Sequence, residues 1–565
     1  MESELTAEIE RVDVTRFYTY DELTAILNRY VEAFPELASL ESIGQSYEGR
    51  DIWALTITNS ATGPAADKPA MYIDANIHAG EVTGCSVVLY TADTLLHGYG
   101  TDDRITYLLD TRTFYLLPRV QPDGVEKYLT TPEMLRSSVR QWPFDYDDEG
   151  LTPEDINDDG LILQMRVPDQ NGEWRASNRD PRLMVKRGPD EFEGEFYRLY
   201  TEGMINDYDG GPVRFARPRY GLDQNRNWPA QWSVHQRGGG PYPLSEPETQ
   251  AVAKFVEGHR NISIVQNYHT AGGVILRAPC AVGDDALPPR DAEIYADFGA
   301  IGEDVTGYPC SPVYNAFPRR DDAGRRSTAG GFIEWTYDHL GIWSFATELW
   351  DIQSRAGIER PKDDPMRSVR EPTEDDGLKL LTFLDEELDG EGFVPWQRFD
   401  HPQLGQVEIG GWNIKFMRQN APPKFLQDEA ERNTAFTIRQ AGMTPELGLE
   451  NVEVEGVGGD LYIVRATVVN RGYLPTHNSW ALLRNGTARP VELEIEGGEV
   501  LMGKRRQEIG HLAGRSGNRG MMPMFGMSKV DNERRVEWLV RGTGPLTVHA
   551  RSEKAGAASE TVDLA

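Results

Sequence analysis

Five runs of strand length, residues 53–58, 70–77, 113–117, 262–268 and 342–347, are apolar or β-branched almost throughout instead of at alternate positions. A strand with one solvated face alternates, whereas a continuous apolar run belongs to a strand covered on both sides. Helical patterns lie between these runs. From Tyr20, the residues Leu23, Ile26, Leu27, Tyr30, Val31 and Phe34 recur at helical spacing and stop at Phe34-Pro35. Ser245-Glu246-Pro247-Glu248 has the form of a capping box with proline in the first turn, and Ala251, Val252, Phe255 and Val256 follow it. Strands alternating with helices predict an α/β fold.

At 565 residues the chain is too long for one ordinary domain, so two or three are expected. Charge, glycine and proline interrupt the alternation over about 130–220, which reads as a long insertion. Leu378, Leu381, Leu384 and Leu388 form a last helical pattern, and Asp389-Gly390-Glu391-Gly392 breaks it, closing a first domain over 1–395. A linker with one helix near 427–440 is expected over 396–447. Short alternating strands over 448–565 then predict an all-β sandwich.

Ninety acidic residues against 58 basic ones give a formal net charge of -32, which repels nucleic acid and anionic membrane. No apolar run is long enough to span a bilayer, and Met1-Glu2-Ser3-Glu4 leads into no apolar stretch, so a cytoplasmic protein is the expectation. Cys85, Cys280 and Cys310 are too few for a disulfide framework and read as small buried hydrophobes.

Chemistry gathers where the strands end. His78 and Glu81, three positions apart, follow the run at 70–77, and His269 ends the run at 262–268. Glu348 ends the run at 342–347. In open α/β sheets ligands collect at the carboxyl ends of strands, and zinc accepts imidazole nitrogen and carboxylate oxygen. Two histidines and one glutamate leave a fourth position for water, and a further glutamate can take the proton of that water.

These motifs resemble those of the zinc carboxypeptidases of the pancreatic carboxypeptidase A type, over roughly residues 17 to 395. His78-Ala79-Gly80-Glu81 is similar to the family's His-x-x-Glu ligand pair, and Asn267-Tyr268-His269-Thr270 to the segment bearing its third ligand. Gly221-Leu222-Asp223-Gln224-Asn225-Arg226-Asn227-Trp228 resembles the signature whose Asn and Arg hold the substrate's terminal carboxylate. Residues 330–349 resemble the region ending in the catalytic glutamate. The resemblance implies a mixed central sheet flanked by helices and one Zn2+ on His78, Glu81 and His269. It also implies Glu348 as general base and a peptide with a free C-terminus as substrate. Asp223 is a candidate to orient a zinc-bound imidazole, and Ile333 falls where the family reads the terminal side chain.

The match departs in two places. The family's capping tyrosine has no counterpart, and ungapped counting puts Arg325 or Arg326 near its position, Arg326 thus becoming a candidate substrate-binding residue. The oxyanion-stabilising arginine falls within the insertion, where Arg166 and Arg175 are both candidates and Arg166 is preferred for its strand-like setting. Asp155, Asn157 and Asp159 have the spacing of a Ca2+ loop, but position twelve is Arg166. The alternative is an acidic turn closed by its own side-chain to backbone bonds.

Overall fold

The computed structural model describes residues 10–317, 328–361, 372–518 and 531–564. Eight strands form the central sheet: β1 (Ala38–Gln45), β2 (Asp51–Ile57), β3 (Ala70–Ala75), β4 (Thr113–Leu117), β5 (Ile262–Thr270), β6 (Val274–Arg277), β7 (Cys310–Pro312) and β8 (Trp343–Leu349). Their spatial order is β1-β2-β4-β3-β5-β8-β6-β7. The central strands β4, β3, β5 and β8 run parallel, and β1, β2 and β6 add antiparallel pairs, so the sheet is mixed. Every residue of β3, β4 and β5 is buried. That is the origin of their continuous apolar pattern.

One face of the sheet is covered by α1 (Tyr20–Ala33), α2 (Thr83–Gly98) and the helix Pro289–Thr306, which bury Leu27, Leu89, Leu95 and Phe298 against Ile73 and Phe345. On the other, Val252, Phe255 and Trp335 pack with Tyr72 and Val265. Each such side chain contributes roughly 1.5–3 kcal/mol. Thr19 and Glu22 make a complete capping box at α1. The box expected at Ser245 does not form: the helix starts at Pro247 without a side-chain cap, and Glu248 instead accepts from Tyr47 N and Gln224 Nε2.

The insertion is rooted where Trp142 and Tyr220 lie side by side in a parallel bridge. Its strands Gln164–Pro168, Tyr197–Thr201, Trp174–Ala176 and Met184–Lys186 share a six-stranded sheet with Phe393–His401 and Gly405–Trp412. The expected linker is therefore corrected. Residues 393–412 are a hairpin completing the insertion's sheet, burying Val407 and Ile409 against Leu163 and Met165. The helix Pro423–Ala441 packs on α2, with Thr434 Oγ1 2.7 Å from Thr91 Oγ1 and Phe436 against Phe345. A linker would expose this apolar face.

The C-terminal strands form two four-stranded sheets around Val464, Leu493, Trp538 and Val548, a β-sandwich. It docks on the amino edge of the central sheet. Lys554 Nζ donates to Ile262 O at 2.6 Å, and Asn478 Nδ2 donates to Ser263 O at 3.0 Å and Gly341 O at 2.9 Å. Among the described residues no helix is long and apolar enough to cross a membrane, and none of Cys85, Cys280 and Cys310 forms a disulfide.

Candidate metal centre

Parallel register sets the site. His269 on β5 is the register partner of Glu348 on β8, and Tyr268 that of Ala75 at the end of β3. Asn76 turns the chain out of β3 at φ 60°, a conformation asparagine tolerates better than most residues. Its Nδ2 donates to Glu81 O at 2.8 Å. This local loop brings His78 and Glu81 over the end of β5. Asn420, from the segment expected to be a linker, clamps the same loop: its Nδ2 donates to Gly80 O at 2.8 Å, and its Oδ1 accepts from Thr83 N at 3.1 Å. Gly80 is required there, because a Cβ would lie 2.9 Å from both Gln419 Nε2 and Tyr128 Cε2.

The ligating atoms converge. His78 Nδ1 lies 2.9 Å from Glu81 Oε1, His269 Nδ1 2.9 Å from Glu81 Oε2, and the two Nδ1 atoms 3.1 Å apart. Both Nε2 atoms face other acceptors: Asp223 Oδ1 at 3.0 Å for His78, and the Asn267 side-chain oxygen for His269. Each ring therefore donates its Nε2–H outward and turns an Nδ1 lone pair inward. Two lone pairs and a carboxylate facing one another repel unless a cation or a proton lies between them. Zinc fits. A tetrahedron with bonds of about 2.05 Å has edges of ~3.3 Å, close to these separations, and outward N–H bonds to a carboxylate or an amide oxygen are the usual orienting partners of zinc-binding histidines. Among the described residues, His78, Glu81 and His269 are the one group of three such side chains close enough to hold a metal ion.

The electrostatics agree. Burial pushes the Glu81 carboxyl up, but His78 and His269 outweigh it and hold the group below the ordinary carboxylate range. His269 loses basicity to burial and regains more from Glu81 and Glu348. Asp223 is likewise desolvated, yet Arg136, Arg226 and His78 drive it well down. Glu348 goes the other way: desolvation, with Glu81 adding to it, pushes it up to about 7. A carboxylate poised there suits proton transfer.

One cavity of about 230 Å³ is lined by His78, Glu81, His269, Glu348, Asn225 and Arg226, and also by Ile333. Asn225 Oδ1 accepts from Phe332 N at 2.8 Å, which aims Nδ2 toward His269 Nε2, 3.5 Å away. Arg226 Nη1 donates to Asn225 O at 2.7 Å. Apolar walls come from Leu276, Val313, Phe317, Ile333 and Ala346.

Both oxyanion candidates are displaced by the structure. Arg166 pairs with Glu408 at 2.6 Å and stacks on Tyr197 and Trp396 in the insertion's sheet, while Arg175 pairs with Glu191 at 2.9 Å. Neither lines the cavity. Arg136 does, with Nε 2.6 Å from Asp223 Oδ2 and Nη1 3.9 Å from Glu81 Oε1. Its role is not legible in the sequence, where the charge-rich stretch of the insertion opens near 130, before Arg136, whereas the insertion's root in the fold is Trp142. Arg325 and Arg326 lie outside the described residues. In the candidate calcium loop, Asp155 Oδ2 accepts from Gly160 N at 2.9 Å, Asn157 Oδ1 from Asp159 N at 3.1 Å and Asp159 Oδ1 from Leu161 N at 2.9 Å, the pattern of a self-closed acidic turn.

A mixed α/β sheet carrying a two-histidine, one-glutamate donor set at its carboxyl edge defines an open metal centre of the hydrolytic type. Residues 23–363, more than half of the chain, match the zinc carboxypeptidase family, and the chain belongs to it. Residues 446–563 match a domain of unknown function (DUF8731). The chain is 28% identical to carboxypeptidase A2 of Mus musculus over 346 residues, covering 59% of this chain and 63% of that protein. It is 23% identical to a zinc carboxypeptidase of Saccharothrix mutabilis subsp. capreolus over 364 residues, 62% and 65% of the two. It thus spans less than two thirds of the length of these relatives. The crystal structure of thrombin activatable fibrinolysis inhibitor aligns with TM-score 0.44 and 16% identity, covering 76% of this chain and 74% of that one.

Proposed function

We propose that the chain is a zinc-dependent carboxypeptidase that removes apolar or aromatic C-terminal residues from peptides. One observation carries the reading: a single cavity gathers the donor set, Glu348, Arg136, the Asn225–Arg226 pair and an apolar wall. His78, Glu81 and His269 would hold the metal. When bound, zinc acidifies a water and polarises the scissile carbonyl. Asn225 and Arg226 hold the terminal carboxylate, the guanidinium offering a planar fork that matches two oxygens. The terminal side chain packs against Ile333 and Leu276. Glu348 takes the proton of the attacking water and passes it to the departing amine nitrogen, while Arg136 donates to the carbonyl oxygen as negative charge grows on it. Asp223 positions both His78 and Arg136 through its two oxygens.

The test uses the full chain stripped of metal and reloaded with zinc, assayed on free and C-terminally amidated peptides ending in Phe. Reloading restores cleavage of the free peptides alone. Glu348→Gln should keep zinc yet lose about 10³-fold or more in kcat. Equal cleavage of amidated peptides, or a fully active Glu348→Gln chain, overturns the reading.

A further inference from the structure

Beside the cavity just described lies a larger cleft of about 880 Å³. Its walls are the two roots of the insertion, around Trp142 and Tyr220, and the loop containing residues 234–238. Trp142 N donates to Arg219 O and Gly221 N to Trp142 O, both at 3.0 Å, so the roots are stitched together at its rim. Arg136 and Arg226 line both cavities, which makes the cleft continuous with the site.

Its charge is opposite to that of the whole chain. Against a net charge of -32, the cleft presents Arg136, Arg217, Arg226 and Arg237, with His235 beside them. Its one lining carboxylate, Asp223, is already engaged by Arg136 at 2.6 Å and His78 at 3.0 Å. Arg217 and Arg237 are exposed and make no ion pair among the described residues. Several other arginines of the insertion are matched: Arg166 with Glu408, Arg175 with Glu191, Arg198 with Asp169. A chain with 90 acidic residues had carboxylates to spare for this cleft, and places none opposite Arg217 or Arg237.

We propose that the cleft is an anion-selective subsite for acidic side chains on the amino-terminal side of the scissile bond, making the enzyme one that trims acidic peptides. This rests on the carboxypeptidase reading. The terminal side chain is accounted for by the apolar wall at Ile333 and the terminal carboxylate by Asn225 and Arg226, so the rest of the peptide leaves past Arg136, the other residue shared with the cleft. Guanidinium groups without carboxylate partners attract glutamate and aspartate there and repel lysine. Because Arg217 and Arg237 are exposed, the attraction is modest and screened by salt.

The experiment uses the zinc-loaded full chain and three peptides that share a C-terminal Phe and carry Glu, Gln or Lys at the two preceding positions. At low salt, kcat/KM should fall from Glu to Gln to Lys, with about 10-fold between Glu and Gln, two exposed pairs each supplying several-fold. In about 1 M salt, where the screening length is ~3 Å, the three values converge. The double variant Arg217→Glu with Arg237→Glu should invert the order, an outcome that misfolding cannot produce. Equal rates for the Glu and Gln peptides at low salt, or an unchanged order in the double variant, overturn the acidic subsite alone. A wild-type chain that cuts none of the three peptides overturns the carboxypeptidase reading itself.

Discussion

The two edges of the central sheet both bury polar groups, and they do so in opposite ways. At the amino edge, where the sandwich docks, side chains pair one by one with backbone groups across the seam: Lys554 with Ile262 O, Asn478 Nδ2 with Ser263 O and Gly341 O, Asp291 with Trp480 N and Ala481 N. At the carboxyl edge the groups crowd. Two imidazole Nδ1 atoms and a carboxylate point at one another, with Glu348 alongside. An unmade buried hydrogen bond costs about 1–3 kcal/mol, so the first arrangement stabilises the fold. The second costs stability unless a cation joins it. Satisfied burial marks structure, and convergent burial marks chemistry.

The largest expected effect tests that division directly. His269→Ala should abolish stoichiometric zinc binding, read by metal analysis, and lower peptide cleavage by more than about 10³-fold. Asn478→Ala should do the reverse, keeping zinc while lowering the unfolding free energy by about 2–3 kcal/mol in urea titrations, since two hydrogen bonds across the amino edge are lost. Zinc loss in the second variant would break the contrast. Next comes Arg136→Ala, which should lower kcat by about 10²–10³-fold, as removal of an oxyanion donor does. Arg166→Ala and Arg175→Ala should each stay within about 2-fold of wild type, because their ion pairs lie in the insertion's own sheet. A large loss in either would restore it as the oxyanion donor.

These contrasts also mark what was legible in the sequence. The strand-end residues His78, Glu81, His269 and Glu348 were readable because burial on both faces writes a continuous apolar run, and a polar residue at its end stands out. Asn225 and Arg226 were readable as a local motif. Arg136, Asn267 and Asn420 were not. Each acts through a partner distant in sequence or through a hydrogen bond that leaves no periodicity, and Asn420 reaches Gly80 across 340 positions. The hairpin over 393–412 was lost for a related reason. Its apolar face is completed by strands more than 200 residues earlier, so alone it reads as loop.

Asn420 is where the two kinds of burial meet, since a fully satisfied side chain holds the loop of an unsatisfied site. Asn420→Ala leaves Gly80 O and Thr83 N without their partner. It should cost about 1–3 kcal/mol in urea unfolding and weaken zinc binding about 10-fold in a competition titration against a chelator. A stability loss without any change in zinc affinity would show that the clamp serves the fold alone.

The smallest effect lies in pH. Desolvation lifts Glu348 from an ordinary value of 4.5 to about 7, with Glu81 adding to the lift and His269, His78 and Arg136 opposing it. A general base works only when ionised, so cleavage must fall as pH drops through this value, one proton being gained per site. A cation held by His78, Glu81 and His269 adds a further downward pull. The acid limb of kcat/KM should therefore lie between 4.5 and about 7. Arg136→Ala removes one of the charges that lower Glu348, so its residual activity should show the limb moved to higher pH by a few tenths of a unit, measurable with a free-C-terminal peptide. Asn478→Ala, at the other edge, should leave the limb in place. A limb that shifts equally in both variants would mean that the edges are electrostatically coupled and that the proton lost belongs to neither alone.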